Sequence, residues 1–379
     1  MDPDLTAVAA ALKSRVIDEM EQLVALSTPS GETEQTERAI ELCASFLPLS
    51  AHLERPQCST AGCAADLLAT ITGTGDRRLL LLGHLDTVIA HGDHRPPERD
   101  QARERLYGSG TADMKGGVAI ALAVARTWAE QPETFAELSV LLVCDEEWRV
   151  VPLRHLDRFA GYDACLCFEA GEVSESGDDG VIVRRKGAGT MRVRATGRAA
   201  HSGSAPQNGR NALLALAHTA IEVAATADPT GPDQLTVVPT VMRCGEVFNI
   251  VPAAGELTFD ARASDIRAFE RMLAAVPEEI GGATLEPFME RVWPAMDSAE
   301  AAAPLLRAAA ELLGRPVVAR ARGGASDASH FAPSIPLTID GLGPRGGGAH
   351  TPEEYVHEGS LADRIAVALA VSRAAMLYP

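Results

Sequence analysis

Apolar residues recur at helical spacing over residues 5–26 and again over 32–47, and the acid-rich stretch Gly31-Glu32-Thr33-Glu34 opens the second in the way a helix N-terminus favours. Two helices are expected first. Short apolar runs follow at Asp66–Ile71, Arg77–Leu85, Leu138–Cys144 and Asp163–Glu169, separated by turn residues or by a helical pattern over Gly117–Glu130. Runs of this length predict buried strands of a mixed α/β sheet flanked by helices. The texture changes near Gly187, since Gly189–Gly197 alternates apolar and polar residues like a strand with one wet face. A helix over Asn211–Ala227, strands over Leu235–Met242 and Gly255–Arg262, a helix over Ser264–Glu279 and a strand over Thr284–Met289 complete a β-α-β-β-α-β order, that of the ferredoxin-like split unit. Beyond Trp293-Pro294 the helix and apolar-strand patterns return. The second unit, residues 187–291, is therefore expected as an insertion into a discontinuous body made of residues 1–186 and 292–379.

Composition narrows the chemistry. The chain has 379 residues and a formal charge of −18, which repels phosphate backbones and anionic lipid, so no nucleic-acid or membrane partner is expected. No apolar run approaches the roughly 20 residues of a membrane helix, and the acidic start Met1-Asp2-Pro3-Asp4 has no basic leader pattern, which points to the cytoplasm. Seven cysteines form no paired framework and read as reduced, buried small hydrophobes.

Several segments carry chemistry. The strand ending in Gly83 presents His84 and Asp86, two apart and so on one side of an extended chain. The pair fits a metal ligand with its orienting carboxylate, or a purely structural contact. Glycines bracket Asp113 just before a helix, without the spacing or the Lys-Ser/Thr ending of a phosphate loop. A carboxylate buried there needs a cation. Asp145, Glu146 and Glu147 follow another apolar strand, and either form wet surface or divide metal ligation and proton transfer between them. Glu169 ends a fourth strand, and His350 follows three glycines, with Thr351, Pro352 and Glu354 resembling a helix capping box. Together His84, Asp113, Glu147, Glu169 and His350 make an imidazole and carboxylate set without thiolate. Such donors with a bridging carboxylate suit two zinc ions, or cobalt or manganese in their place.

In this order the segments Gly83–Val88, Gly108–Gly117, Asp145–Glu147, Glu169 and Gly346–Glu354 resemble the dinuclear zinc metallopeptidases, the family of G-type glutamate carboxypeptidase, acetylornithine deacetylase and succinyl-diaminopimelate desuccinylase. The resemblance runs from about Leu5 to Met376. It implies a zinc-peptidase catalytic domain with an inserted ferredoxin-like dimerisation (lid) domain, two Zn2+ per subunit with Co2+ or Mn2+ as substitutes, and a homodimer. It implies that Asp113 bridges, that His84 and Glu169 complete one metal, and that Glu147 and His350 complete the other. Glu146 takes the place of the general base and Asp86 that of the partner of His84, and a cis peptide is implied between Asp113 and Met114. Lys115 is expected to support this loop without taking part in the chemistry.

The inserted unit matches too. His201, in Gly197–Leu213, resembles the histidine that reaches the partner subunit's site and stabilises the transition state. Asn249 and Arg262 resemble the pair that holds substrate carbonyl and carboxylate, although a surface strand residue is the plain alternative for Arg262. Gly324 and Ser326 resemble the carboxylate-binding loop. The implied activity is release of a C-terminal amino acid from a small peptide or N-acyl amino acid. The alternatives are an N-acetyl or N-succinyl amino-acid deacylase, or a relative that binds metal or peptide without turnover. Trp148-Arg149-Val150-Val151 stands where the family has a small Ile-Gly-Ser-like segment, and residues 243–248 lack its usual Gly-Gly-Thr. Both departures bear on the substrate more than on the metal.

Overall fold

The computed structural model describes residues 4–377, which divide into two compact units: 4–184, 297–321 and 326–377 in the first, and 185–296 with 322–325 in the second. The first unit is built on a six-stranded sheet in the order His52–Glu54, Leu67–Thr72, Glu137–Val143, Arg78–His84, Ala164–Cys167, Thr338–Ile339. The first two pairings are antiparallel and the others parallel. The central strands are buried on both faces, which is why they read as unbroken apolar runs. Helices Leu5–Val24, Gly116–Ala129 and Leu361–Leu377 contribute buried residues to the core formed with this sheet. Gly117 sets the approach of one of them: a Cβ there would lie 1.8 Å from the carbonyl oxygen of Phe168, so only glycine lets the helix start this close to the strand end.

Two smaller sheets complete the unit. One joins Gly346–Gly347, Tyr355–His357, Arg105–Tyr107 and Glu98–Asp100 in that order, all antiparallel. These strands are two or three residues long, too short to show a periodicity. The other is built around Asp179–Arg185 and Val317–Arg322.

The second unit has strands in the order Thr236–Cys244, Ala254–Ala263, Gly187–Thr196, Ala283–Trp293, all antiparallel, with Glu279–Ile280 at the far edge. Helix Ala212–Ala224 packs its buried side on this sheet. The expected second helix is shorter than its pattern, Ile266–Ala268 as a 3-10 turn and then Phe269–Ala274. Pro277 excludes the helical conformation from the residue before it and ends the element early.

Two expectations need correction. Thr351 and Glu354 form no capping box: residues 348–354 are a turn between short strands, the Thr351 hydroxyl donates to the Gly348 carbonyl (2.8 Å), and the Glu354 carboxylate is drawn to another loop. None of the seven cysteines is in a disulfide, but Cys63 and Cys244 are only half-buried. Among the described residues no helix is long and apolar enough to cross a membrane.

Candidate active site

Parallel strands place their carboxyl ends along one edge of a sheet, where open α/β sheets bind ligands. His84 stands level with Val143, and Leu82 with Cys167, so His84, the Asp145–Glu147 turn and Glu169 emerge side by side. The His84 ring is buried. Its Nδ1 lies 3.0 Å from the Asp86 carbonyl oxygen and 3.4 Å from that residue's carboxylate. With a proton held on Nδ1 by these acceptors, Nε2 faces Asp113 Oδ1 at 3.1 Å and Glu169 Oε1 at 3.6 Å. The Asp86 carboxylate does more than orient His84, since it accepts from the backbone N–H groups of Glu146 (3.0 Å) and Glu147 (3.1 Å) and from the Ser30 hydroxyl (2.6 Å).

The second half comes from the short antiparallel sheet. His350 sits at its turn with φ of +66°, and its Nε2 lies 3.1 Å from Asp113 Oδ2 and 3.3 Å from Glu147 Oε1. Two groups able to hold a metal ion therefore share one residue: His84, Asp113 and Glu169, and Asp113, Glu147 and His350. Each contributes oxygen and imidazole donors of the borderline class that zinc, cobalt and manganese accept.

Asp113 owes its position to an unusual loop. Gly110 has φ of +83°, the backbone over Thr111–Lys115 leaves helical geometry at Asp113 and Met114, the Asp113-Met114 peptide is cis, and the helix begins at Gly116. Pairing of Arg105–Tyr107 with Tyr355–His357 brings Glu354 beneath the loop. Its carboxylate accepts from the N–H groups of Gly110 (2.7 Å), Ala112 (2.8 Å) and Asp113 (2.8 Å), and burial pushes its pKa up to about 7 against those donors. Lys115 is also buried, donates from Nζ to the Leu26 carbonyl (2.6 Å), and is pulled down by burial to about 7.

The electrostatics are those of a crowded anionic cluster. Burial raises the Glu146 carboxyl well above the usual range, His84 opposes this, and Glu169, Glu147 and Asp113 push further upward. Burial would lower His84, but Asp113, Asp86 and Glu169 outweigh it and raise it well above the usual imidazole range. His350 rises to about 10 beside Asp113 and Glu147. Five acids around two imidazoles are the charge pattern that divalent cations neutralise. Glu147 Oε1, buried and without a hydrogen bond among the described residues, fits the same role.

Other sequence-derived candidates lie elsewhere in the chain. In the second unit His201 and Asn249 are neighbours, since Ser202 N–H donates to the Asn249 carbonyl (3.0 Å). His201 Nδ1 accepts from the N–H groups of Gly203 and Ser204 (3.1 Å each), so the neutral ring carries its proton on Nε2. Arg262 lies side-on to Asp260, with Nε and Nη2 at 3.0 and 2.9 Å. The Gly324 carbonyl accepts from Arg185 (2.9 Å). In the first unit Ser326 is buried and its hydroxyl donates to Asp340 (2.6 Å).

The sequence pattern of peptidase family M20/M25/M40 matches residues 80–374. Carboxypeptidase G2 from Pseudomonas sp. (strain RS-16) is 28% identical over 368 residues, covering 93% of this chain and 87% of that protein. Succinyl-diaminopimelate desuccinylase from Stenotrophomonas maltophilia (strain R551-3) is 30% identical over 319 residues, covering 77% and 82%. The fold is also that of a tripeptidase from Staphylococcus aureus, with a TM-score of 0.77 at 20% identity over 96% of this chain and 99% of that one. Sequence pattern, fold and the shared-aspartate geometry agree: the chain belongs to peptidase family M20/M25/M40 and is a metal-dependent hydrolase of amide bonds.

Proposed function

We propose that the protein is a two-metal hydrolase that releases the C-terminal amino acid from a small peptide or N-acyl amino acid. The observation that carries this reading is the pair of three-residue groups sharing Asp113, with the buried carboxyl of Glu146 next to Glu147 in the chain. His84, Asp113 and Glu169 would hold one ion, and Asp113, Glu147 and His350 the other, with zinc as the assigned metal. When bound, such ions polarise the scissile carbonyl and acidify the attacking water. Glu146 takes the proton of that water on its carboxylate and returns it to the leaving nitrogen, a task for which a raised pKa is suited. Asp86 keeps both neighbours in place by holding the Glu146 and Glu147 backbone and the His84 ring.

We assign oxyanion stabilisation to His201 of the partner subunit in a homodimer, the Nε2–H of the tautomer described above being the donor. Exposed apolar residues on the second unit support self-association: Leu214 and Ile221 on its helix are 65% and 74% exposed, and Val238, Val241 and Met242 are exposed along its edge strand. Asn249 and Arg262 are assigned to the substrate's carbonyl and carboxylate, and Gly324 to the same carboxylate. Ser326, already committed to Asp340, acts by fixing its loop.

The similarity to a desuccinylase favours one second reading, a deacylase that recognises the acyl group. A panel of N-acyl amino acids separates the two. If kcat/KM follows the amino acid and tolerates changes of acyl group, the carboxypeptidase reading stands; dependence on an acetyl or succinyl group with tolerance of the amino acid selects the deacylase. Zinc-loaded protein that hydrolyses no member overturns both.

A further inference from the structure

The turn that carries Glu146 and Glu147 runs on into Arg149, a long cation. Arg149 and Asp145 are fully buried and Asp327 is 3% exposed. Arg149 Nη1 donates to Asp145 Oδ1 at 2.9 Å, and Nη2 is ion-paired with Asp327. The other oxygen of Asp145 accepts from the Thr60 N–H at 2.7 Å, and its backbone carbonyl accepts from Trp148 N–H at 3.3 Å. Asp327 follows Ser326, whose hydroxyl is fixed by Asp340.

A buried ion bridge is weakly explained by stability, because apolar side chains of similar volume pack at equal or lower free-energy cost. What a guanidinium supplies and an apolar chain does not is direction: its planar fork fixes two carboxylates relative to each other. Here one of those carboxylates belongs to the residue directly before Glu146. Asp86 holds the two N–H groups of the turn from one side, and Arg149, through Asp145, holds its start from the other.

We propose that Arg149 is a positioning residue: by tying Asp145 to Asp327 it sets the Glu146–Glu147 turn and so the aim of the Glu147 carboxylate at the second metal position. The inference rests on the metal reading above and deepens it.

The test is zinc titration calorimetry on chelator-treated, full-length protein, with kcat and KM measured on the reloaded enzyme. Wild type is expected to take two ions. Arg149→Lys keeps the charge and loses the fork. It should hold one ion as tightly as wild type and the other about 10–100-fold more weakly, with a similar fall in kcat and a KM within about threefold. Asp327→Asn should give the same split, although it touches neither metal group. Wild-type affinity for both ions in both variants overturns the proposal, as does equal loss of both ions together with the fold, read by thermal unfolding, which marks a merely structural role. A wild type that binds no zinc defeats the metal reading and the bridge with it.

Discussion

In the proposed mechanism Glu146 and Glu147 are adjacent acids with different tasks, one to carry a proton and one to hold a cation, and their surroundings differ. Burial acts first on Glu146 and raises it, while Glu147 faces His350. Replacing Glu146 by Gln is therefore expected to lower kcat by about 10²–10⁴-fold with the zinc content unchanged. Full activity in a metal-replete variant would remove Glu146 from the mechanism. Asp113→Asn should instead abolish both metal positions, whereas His350→Ala should abolish only one, because Asp113 alone is common to the two groups. Trp148 offers a reporter beside this turn. It is 59% exposed while Trp128 and Trp293 are buried, at 0% and 3%. Acrylamide should quench the emission of Trp148 and little else, and a Trp148→Phe variant that remains equally quenchable would contradict that placement.

The candidate site residues at the ends of the long strands are legible from sequence because a strand interior buried on both faces leaves a sharp apolar run, and an acid or histidine at its end stands out. His84, Glu147 and Glu169, which the structure brings into the two candidate metal groups, stand out in this way, and the flanking helices follow from their spacing. Elements of two or three residues leave no such trace. Tyr355–His357 and Arg105–Tyr107 were invisible, and with them the contact that explains Glu354. Its spacing from Thr351 is that of a capping box, so local pattern pointed to a helix; the carboxylate serves three N–H groups of a loop distant in sequence. Arg149 was noticed only as a departure, since a charged residue in sequence says nothing of a buried partner near position 327. The loop makes its own prediction. Glu354→Ala leaves three donors without their acceptor, at about 1–3 kcal/mol each where water cannot replace it. Zinc binding should be lost while far-UV circular dichroism remains near wild type; retention of both ions would show that the loop holds without it.

Across the first unit, a second buried ionic centre ties separate parts of the chain together. Asp179 is buried among Arg364, Arg345 and Arg315, and Arg364 also donates to the carbonyls of Gly343 (3.0 Å) and Gly180 (3.2 Å). Burial would raise the Asp179 pKa, but the three guanidinium groups outweigh it and hold it below the ordinary carboxylate range. The native state therefore binds fewer protons than the unfolded chain. The stabilisation is complete above the unfolded pKa of about 4 and is lost as pH falls through the lowered native value. Asp179→Asn should cost about 3–5 kcal/mol near neutrality, and the gap from wild type in denaturant unfolding should stay level above that unfolded value and close below it. A gap that widens on acidification would contradict the assignment. For the proposed dimer, mixing His201→Ala with Glu146→Ala subunits should restore about one site in four by random chain exchange, and no recovery would place the whole site within one chain.

The shared aspartate has a further consequence, for the order in which the centre comes into being during synthesis. His84, Asp113 and Glu169 are made before the second unit, but His350 and Glu354 follow only after all of it. A nascent or proteolysed chain stopped before Arg345 has the ligands of one group, lacks a ligand of the other, and lacks the carboxylate that supports the Asp113 loop. Synthesis thus completes the second candidate group, and the support of the Asp113 loop, only once residues 350–354 have been made, so a fragment released before them carries one candidate group alone.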